Sequence, residues 1–137
     1  MVKVEVIRKR LTKMDAYLNI LQKMKGYSFD EFNVNPEIYG SCERFLQLAI
    51  EATLDIGNHL IADLNLGEVN WYRDIPILME QNGYISDPLK EKWIRMIGFR
   101  NTLVHDYVEI DRKIVYEILQ NNIDDILKLK KVFAQFL

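Results

Sequence analysis

The sequence predicts an all-α fold: an antiparallel four-helix bundle of long helices with one additional short helix. Three observations carry this. Apolar side chains recur at steps of three and four along nearly the whole chain, the period of helices with one buried face. Glycines number six and prolines three in 137 residues, too few for a many-turned β architecture. Helix-start signals, a capping side chain followed by proline, stand where one periodic stretch gives way to the next.

The first helix rests on Val4, Ile7, Leu11, Met14, Leu18 and Leu21, a single apolar stripe. Gly26, following Lys23 and Lys25, is its stop, because glycine tolerates the closing turn and cations complement the helix dipole. Tyr27 to Val34 reads as a loop. Asn35-Pro36-Glu37 starts the second long helix: Asn35 caps free N–H groups, Pro36 fits the first helical position and Glu37 suits the positive end. It runs to about Leu64, with Ile38, Cys42, Phe45, Ala49, Ala52, Ile56 and Leu60 inward. After a loop over 65–70, a short helix runs from about Tyr72 to Gln81, with Pro76 in its first turn, and ends at Asn82-Gly83. Ser86-Asp87-Pro88 repeats the cap-then-proline signal and opens a helix from Pro88 to about Leu103. Asp111 caps a last helix that runs almost to Leu137, its inner face marked by Leu119, Ile123, Ile126, Leu129, Phe133 and Phe136. Short connections imply antiparallel neighbours. No repeat or linker interrupts the pattern, so residues 1–137 read as one domain.

Composition narrows the function. Hydrophobic residues make up 49% and charged residues 28%, with a net charge of −2, which supports a real core and excludes a disordered chain. The same balance excludes a strongly basic nucleic-acid coat protein while leaving room for a local basic groove. A single cysteine, Cys42, allows no internal disulfide and fits a reducing cytoplasm. No apolar run reaches about 18 residues, so no membrane span is expected, and the first ten residues lack the apolar segment of a leader peptide.

The informative segment is Arg100-Asn101-Thr102-Leu103-Val104-His105-Asp106-Tyr107. Its helix carries an apolar stripe of Leu89, Trp93, Met96 and Leu103 in which Arg100 falls, and a neighbouring stripe of Ile94, Ile97 and Gly98 that Asn101 and His105 continue. A helix apolar on its inner side therefore turns polar on that side near its C-terminus. Such groups need partners, because burying them alone costs several kcal/mol. Asn101 and His105 share a face; Arg100 and His105 lie about 140° apart on an ideal helix. The latter two converge only where the helix ends or a partner chain completes the site.

Histidine gives and takes protons near neutral pH, and arginine offers a planar fork that matches phosphate oxygens. Asparagine can orient either. Together they suit RNA cleavage without a metal, since the ribose 2′-OH supplies the nucleophile. Arginine five residues before histidine arises by chance in roughly one chain in seven of this length, whereas the added Asn and Tyr positions cut that by nearly three orders of magnitude.

An all-helical chain of this size carrying Arg-Asn-x-x-x-His-x-Tyr resembles the HepT-like toxins of the HEPN superfamily. A second stretch, Glu51 to Ile61, is also similar to that family. The resemblance implies a homodimeric, metal-independent endoribonuclease toxin with its motif at a cleft between two protomers. It implies Arg100 as phosphate binder, His105 as general acid or base and Asn101 as support. Tyr107 is then the residue adenylylated by a cognate minimal nucleotidyltransferase antitoxin, which silences the toxin. Two other readings remain open: a non-catalytic dimeric interaction module that docks the nucleotidyltransferase, and a bundle that binds a small molecule at its centre. An open cleft at His105 beside Arg100 separates the first reading from these.

Asp55 and His59, four apart on the second long helix, either place a polar group beside Arg100 or form a helix-surface pair. Two histidines and one cysteine without a ligand motif make a weak metal set, so neither metal nor cofactor is expected. Cys42 reads as a buried small side chain. Arg8-Lys9-Arg10 with Lys13 reads as a solvated outer patch or a surface that guides RNA, and Lys128, Lys130 and Lys131 as complements to the last helix's dipole. Trp71, Tyr72 and Tyr84 flank the short helix, where packing at the bundle end competes with stacking on RNA bases.

Overall fold

The computed structural model describes residues 1–105 and 110–137. Among these the chain forms seven α-helices: α1 (Val4–Met24), α2 (Phe29–Val34), α3 (Pro36–Asp63), α4 (Asp74–Gln81), α5 (Asp87–His105), α6 (Arg112–Asn121) and α7 (Ile123–Ala134). The all-α bundle is as expected, with α1, α3, α5 and the broken rod α6–α7 as its four long members and α4 as a short addition.

The helix starts follow the chemistry of their caps. Asn35 Oδ1 accepts from the Glu37 N–H at 3.0 Å and Pro36 occupies the first turn of α3. Ser86 Oγ accepts from the Leu89 N–H at 3.3 Å where α5 begins. Asp74 opens α4 and turns back on the preceding loop, its Oδ2 accepting from the Asn70 and Trp71 N–H groups, each at 2.9 Å.

The long helix α3 lies at the centre and packs against every other helix. Its partner α1 runs antiparallel: the Lys3 N–H donates to Asp63 Oδ2 at 3.1 Å at one end, and Tyr17 meets Phe45 near the other. The α1 stripe Ile7, Leu11, Met14, Leu18 and Leu21 is buried as the periodicity predicts. On the other side α5 returns along α3, where Trp93 Nε1 donates to Thr53 Oγ1 at 2.9 Å and Thr53 donates onward to the Ile50 carbonyl at 2.6 Å. Both groups are buried, so each bond removes a donor that would otherwise be stranded. Gly57 lets α4 approach: a Cβ there would stand 2.5 Å from Ile75 Cγ2 and 3.1 Å from the Trp93 ring. None of the described helices is long and apolar enough to cross a membrane.

Three expectations need correction. Residues 29–34 form α2, not a loop. Ser28 Oγ accepts from the Glu31 N–H while Glu31 Oε1 accepts from the Ser28 N–H, a reciprocal capping box, and Phe32 is buried against Tyr116. The backbone bond from Ser28, then its side chain, holds the Glu31 carboxyl below its ordinary range. A helix of six residues is too short to show a periodic stripe.

The last helix is also two. Asn122 ends α6 by donating its N–H to the Ile118 carbonyl at 2.9 Å, and its side-chain amide reaches Asp125 Oδ2 at 3.2 Å in the first turn of α7. Asp124 and Asp125 suit a new positive helix end at that point. The inner face of α3 is wider than the single stripe expected. Cys42, Ala49, Ile56 and Leu60 are buried, but so are Leu46, Ile50, Thr53, Leu54, Gly57 and Ile61, because helices approach α3 from several sides.

Candidate active site

Arg100 reaches α3 from the last turns of α5. Its Nε and Nη2 both donate to Glu51 Oε2, at 3.1 and 2.9 Å, and Nη1 donates to Asn101 Oδ1 at 3.3 Å. The guanidinium carbon lies 5.3 Å from the centre of the Tyr72 ring. Only 14% of the Arg100 side chain is exposed, so carboxylate, amide and aromatic face together fix its plane. A guanidinium has five N–H donors, and these contacts leave a terminal pair for an incoming oxyanion.

Asn101 thus supports Arg100 directly, in addition to sharing a face with His105. Asn101 and His105 are both exposed, and His105 is the final residue of α5. With α5 helical through both motif residues, Arg100 and His105 point about 140° apart and stand about 7.5 Å apart along the axis. They do not form a joint site on one face of a single chain. Tyr107 lies outside the described residues.

Asp55 and His59 do not orient Arg100. Both contact Arg10 of α1, whose Nη2 approaches His59 Nε2 at 3.0 Å and whose Nε stands 2.9 Å from Asp55 Oδ2, while Asp55 also borders a cavity on its other side. The latter is an ion pair without hydrogen-bond alignment at Nε. His59 Nε2 is 3.7 Å from Asp55 Oδ1. Arg10 is therefore not part of an outer solvated patch; a stripe count on α1 does not reveal that polar side chains of α3 wait beside it.

The residue that holds Arg100 is Glu51, which the sequence reading did not single out for this role. A signal was present: Gln47, Glu51, Asp55 and His59 follow one another at intervals of four, a polar ladder along one face of α3. Gln47 Nε2 donates to Glu51 Oε2 at 3.3 Å and so joins the same chain of contacts.

Beside this ladder opens a cavity of about 500 Å³, lined by Glu51, Asp55, Asn58, Asn70, Trp71 and Tyr72 among others. A second hollow of about 220 Å³ between α1 and α3 shares Glu51 and Asp55 with it. Of the three aromatic residues around α4, Tyr84 packs on Phe136, whereas Trp71 is 73% exposed. Cys42 is buried, and desolvation, with Glu43 adding to it, pushes its thiol up to about 12, so it is no nucleophile. Among the described residues no group of three or more His, Cys, Asp or Glu side chains is arranged to hold a metal ion.

Comparison with known proteins places the chain in a family. The profile of the ribonuclease HepT-like family matches residues 14–133. The mRNA nuclease HepT of Shewanella oneidensis is 39% identical over 121 residues, which cover 88% of this chain and 90% of that protein. The tRNA nuclease HepT of Aphanizomenon flos-aquae is 31% identical over 113 residues, 81% of this chain and 76% of that protein. Among solved structures, the tri-AMPylated Shewanella oneidensis HEPN toxin in complex with MNT antitoxin superimposes with a TM-score of 0.88 at 28% identity, covering 98% of this chain and 99% of that one. A profile that spans most of the chain and a relative at this identity identify the protein as a member of the HepT-like ribonuclease family.

Proposed function

We propose that the chain is the toxin of a toxin–antitoxin pair and a metal-independent endoribonuclease that acts as a homodimer. The single observation that carries this reading is the fixed guanidinium of Arg100, bound to Glu51 and Asn101 with a terminal N–H pair unused, five residues along the same helix from an exposed histidine. The ribose 2′-OH attacks the adjacent phosphorus, and the P–O5′ bond breaks to leave a 2′,3′-cyclic phosphate and a 5′-OH. Arg100 stabilises the charge that builds on the phosphorane oxygens. His105 removes the 2′-OH proton or protonates the leaving 5′ oxygen.

One chain offers one such histidine, and it diverges from its own Arg100. A two-fold pairing of α5 ends would bring two copies of the motif to one groove and supply both an acid and a base. His105 is exposed rather than buried and satisfied within its own chain, and a cleft that joins it to an Arg100 requires the second copy. Silencing by a nucleotidyltransferase antitoxin through adenylylation is supported by the AMPylated state of the Shewanella toxin in complex with its MNT antitoxin, and Tyr107 is the acceptor that the Arg-Asn-x-x-x-His-x-Tyr motif implies.

The test is cleavage of a mixed RNA pool in excess EDTA by the wild type and His105→Ala. Cleavage by the wild type alone is expected. Equal cleavage by both removes His105 from the mechanism, and loss of wild-type cleavage in EDTA removes metal independence. Intact-mass measurement after incubation with the cognate nucleotidyltransferase and ATP should show adenylyl additions on the wild type and none on Tyr107→Phe.

A further inference from the structure

The cavity beside Arg100 does not suit a phosphate. Among the described residues no cation lines it: its polar lining is the carboxylates of Glu51 and Asp55, each already paired with an arginine, and the amides of Asn58 and Asn70. Its outer wall is the indole of Trp71 and the ring of Tyr72, both exposed. That exposure is not slack in the loop. Asp74 binds the N–H groups of Asn70 and Trp71, and Gly67, at φ +145°, seats against Leu78 where a Cβ would come within 2.8 Å of Cδ2. A fixed backbone presents an aromatic ring to solvent next to an opening of about 500 Å³, within the size range of ligand pockets.

The same Tyr72 ring lies under the guanidinium of Arg100. Base and phosphate of a nucleotide are joined through one sugar, and here an aromatic cavity and a phosphate-binding fork are joined through one side chain. We propose that this cavity holds a nucleobase of the RNA strand beside the phosphate at Arg100, stacked on Trp71, with preference for bases that carry an exocyclic amino group. Ionised carboxylates only accept hydrogen bonds. Adenine, cytosine and guanine present an amino group with two N–H donors, whereas uracil offers only its ring N3–H, set between two carbonyl oxygens that a carboxylate repels. The proposal rests on the ribonuclease reading and adds to it a residue pair, Trp71 and Asp55, that sets which base is held.

The experiment uses short 2′-O-methyl oligonucleotides of A, C or U, which lack the attacking hydroxyl, titrated into the full-length protein. Tryptophan fluorescence reports the site, since of the chain's two tryptophans Trp93 is fully buried and Trp71 is exposed. Oligo(C) should quench and bind about fivefold tighter than oligo(U), the size of one hydrogen bond. Read by titration calorimetry, because these variants lack the reporting indole, Trp71→Ala should weaken oligo(C) about tenfold, within the range of one base stack, and Trp71→Phe should restore most of it. Asp55→Asn should bring C and U together, because an amide both donates and accepts.

Unchanged oligo(C) affinity in Trp71→Ala overturns the proposal. If that variant instead loses self-association in sedimentation, a second copy of the chain covers the indole. Quenching by oligonucleotides from a protein that cleaves no RNA would sink the ribonuclease reading and leave the base site standing. Cleavage without quenching would do the reverse.

Discussion

Helix α3 carries two arginine–carboxylate pairs one turn apart, and they are built differently. At Glu51, Arg100 delivers two N–H groups to one oxygen, borrows an amide from Asn101 and lies over Tyr72. At Asp55, Arg10 makes a contact of equal length that is not aligned as a hydrogen bond, and 35% of its side chain is exposed. The first arginine is held in one plane by a carboxylate, an amide and a ring; the second, partly exposed, has an unaligned carboxylate contact and one contact to the His59 ring. Equal distances therefore conceal unequal order, and order is what a transition state requires of a charge.

The largest test of this contrast is cleavage of RNA. Arg100→Ala should lose about 100- to 1,000-fold in kcat/KM, as when one oxyanion-stabilising group is removed. Arg100→Lys should remain defective, since an ammonium has no planar fork. Arg10→Ala should stay within about threefold of wild type, the usual scale for surface changes. A loss at Arg10 as large as that at Arg100 would break the distinction and place both arginines in the chemistry.

A smaller effect is expected in stability. Double-mutant cycles read by urea unfolding should give a coupling of about 1.5–3 kcal/mol for Arg100 with Glu51, the scale of hydrogen bonds to charged groups. For Arg10 with Asp55 the expected coupling is about 0.2–1 kcal/mol, as for exposed pairs. Similar couplings would mean that alignment does not matter here. The smallest effect sharpens the same point: raising salt from about 0.1 to 1 M shortens the screening length from about 10 to 3 Å. The Arg10–Asp55 coupling should then fall toward zero while most of the Arg100–Glu51 coupling persists.

Elements whose boundaries are written in side-chain chemistry were legible. Asn35-Pro36 opens α3 and Ser86 caps the start of α5 because a cap acts within a few residues of itself. The break at Asn122 was hidden because Leu119, Ile123 and Ile126 keep helical spacing across it. The capping box at Ser28 and Glu31 was readable in principle, yet it serves a helix too short to display a stripe. At the site, the sequence pointed to Arg100, Asn101 and His105, and the structure joins the first two. It could not say which carboxylate Arg100 would find. That partner sits 49 positions earlier, and only the packing of α5 on α3 brings Glu51 rather than Asp55 within reach.

The central position of α3 has a kinetic consequence. A segment that packs against all six other helices must be in place before most tertiary contacts can form, whereas α6 touches α2, α3 and α7. Truncations of buried side chains in α3 should therefore slow folding, and equivalent truncations at Val115 or Leu119 of α6 should mainly speed unfolding. The helix that lines the cleft would then also be the one around which the chain assembles, so that its polar ladder is tolerated in the segment where folding has least to spare.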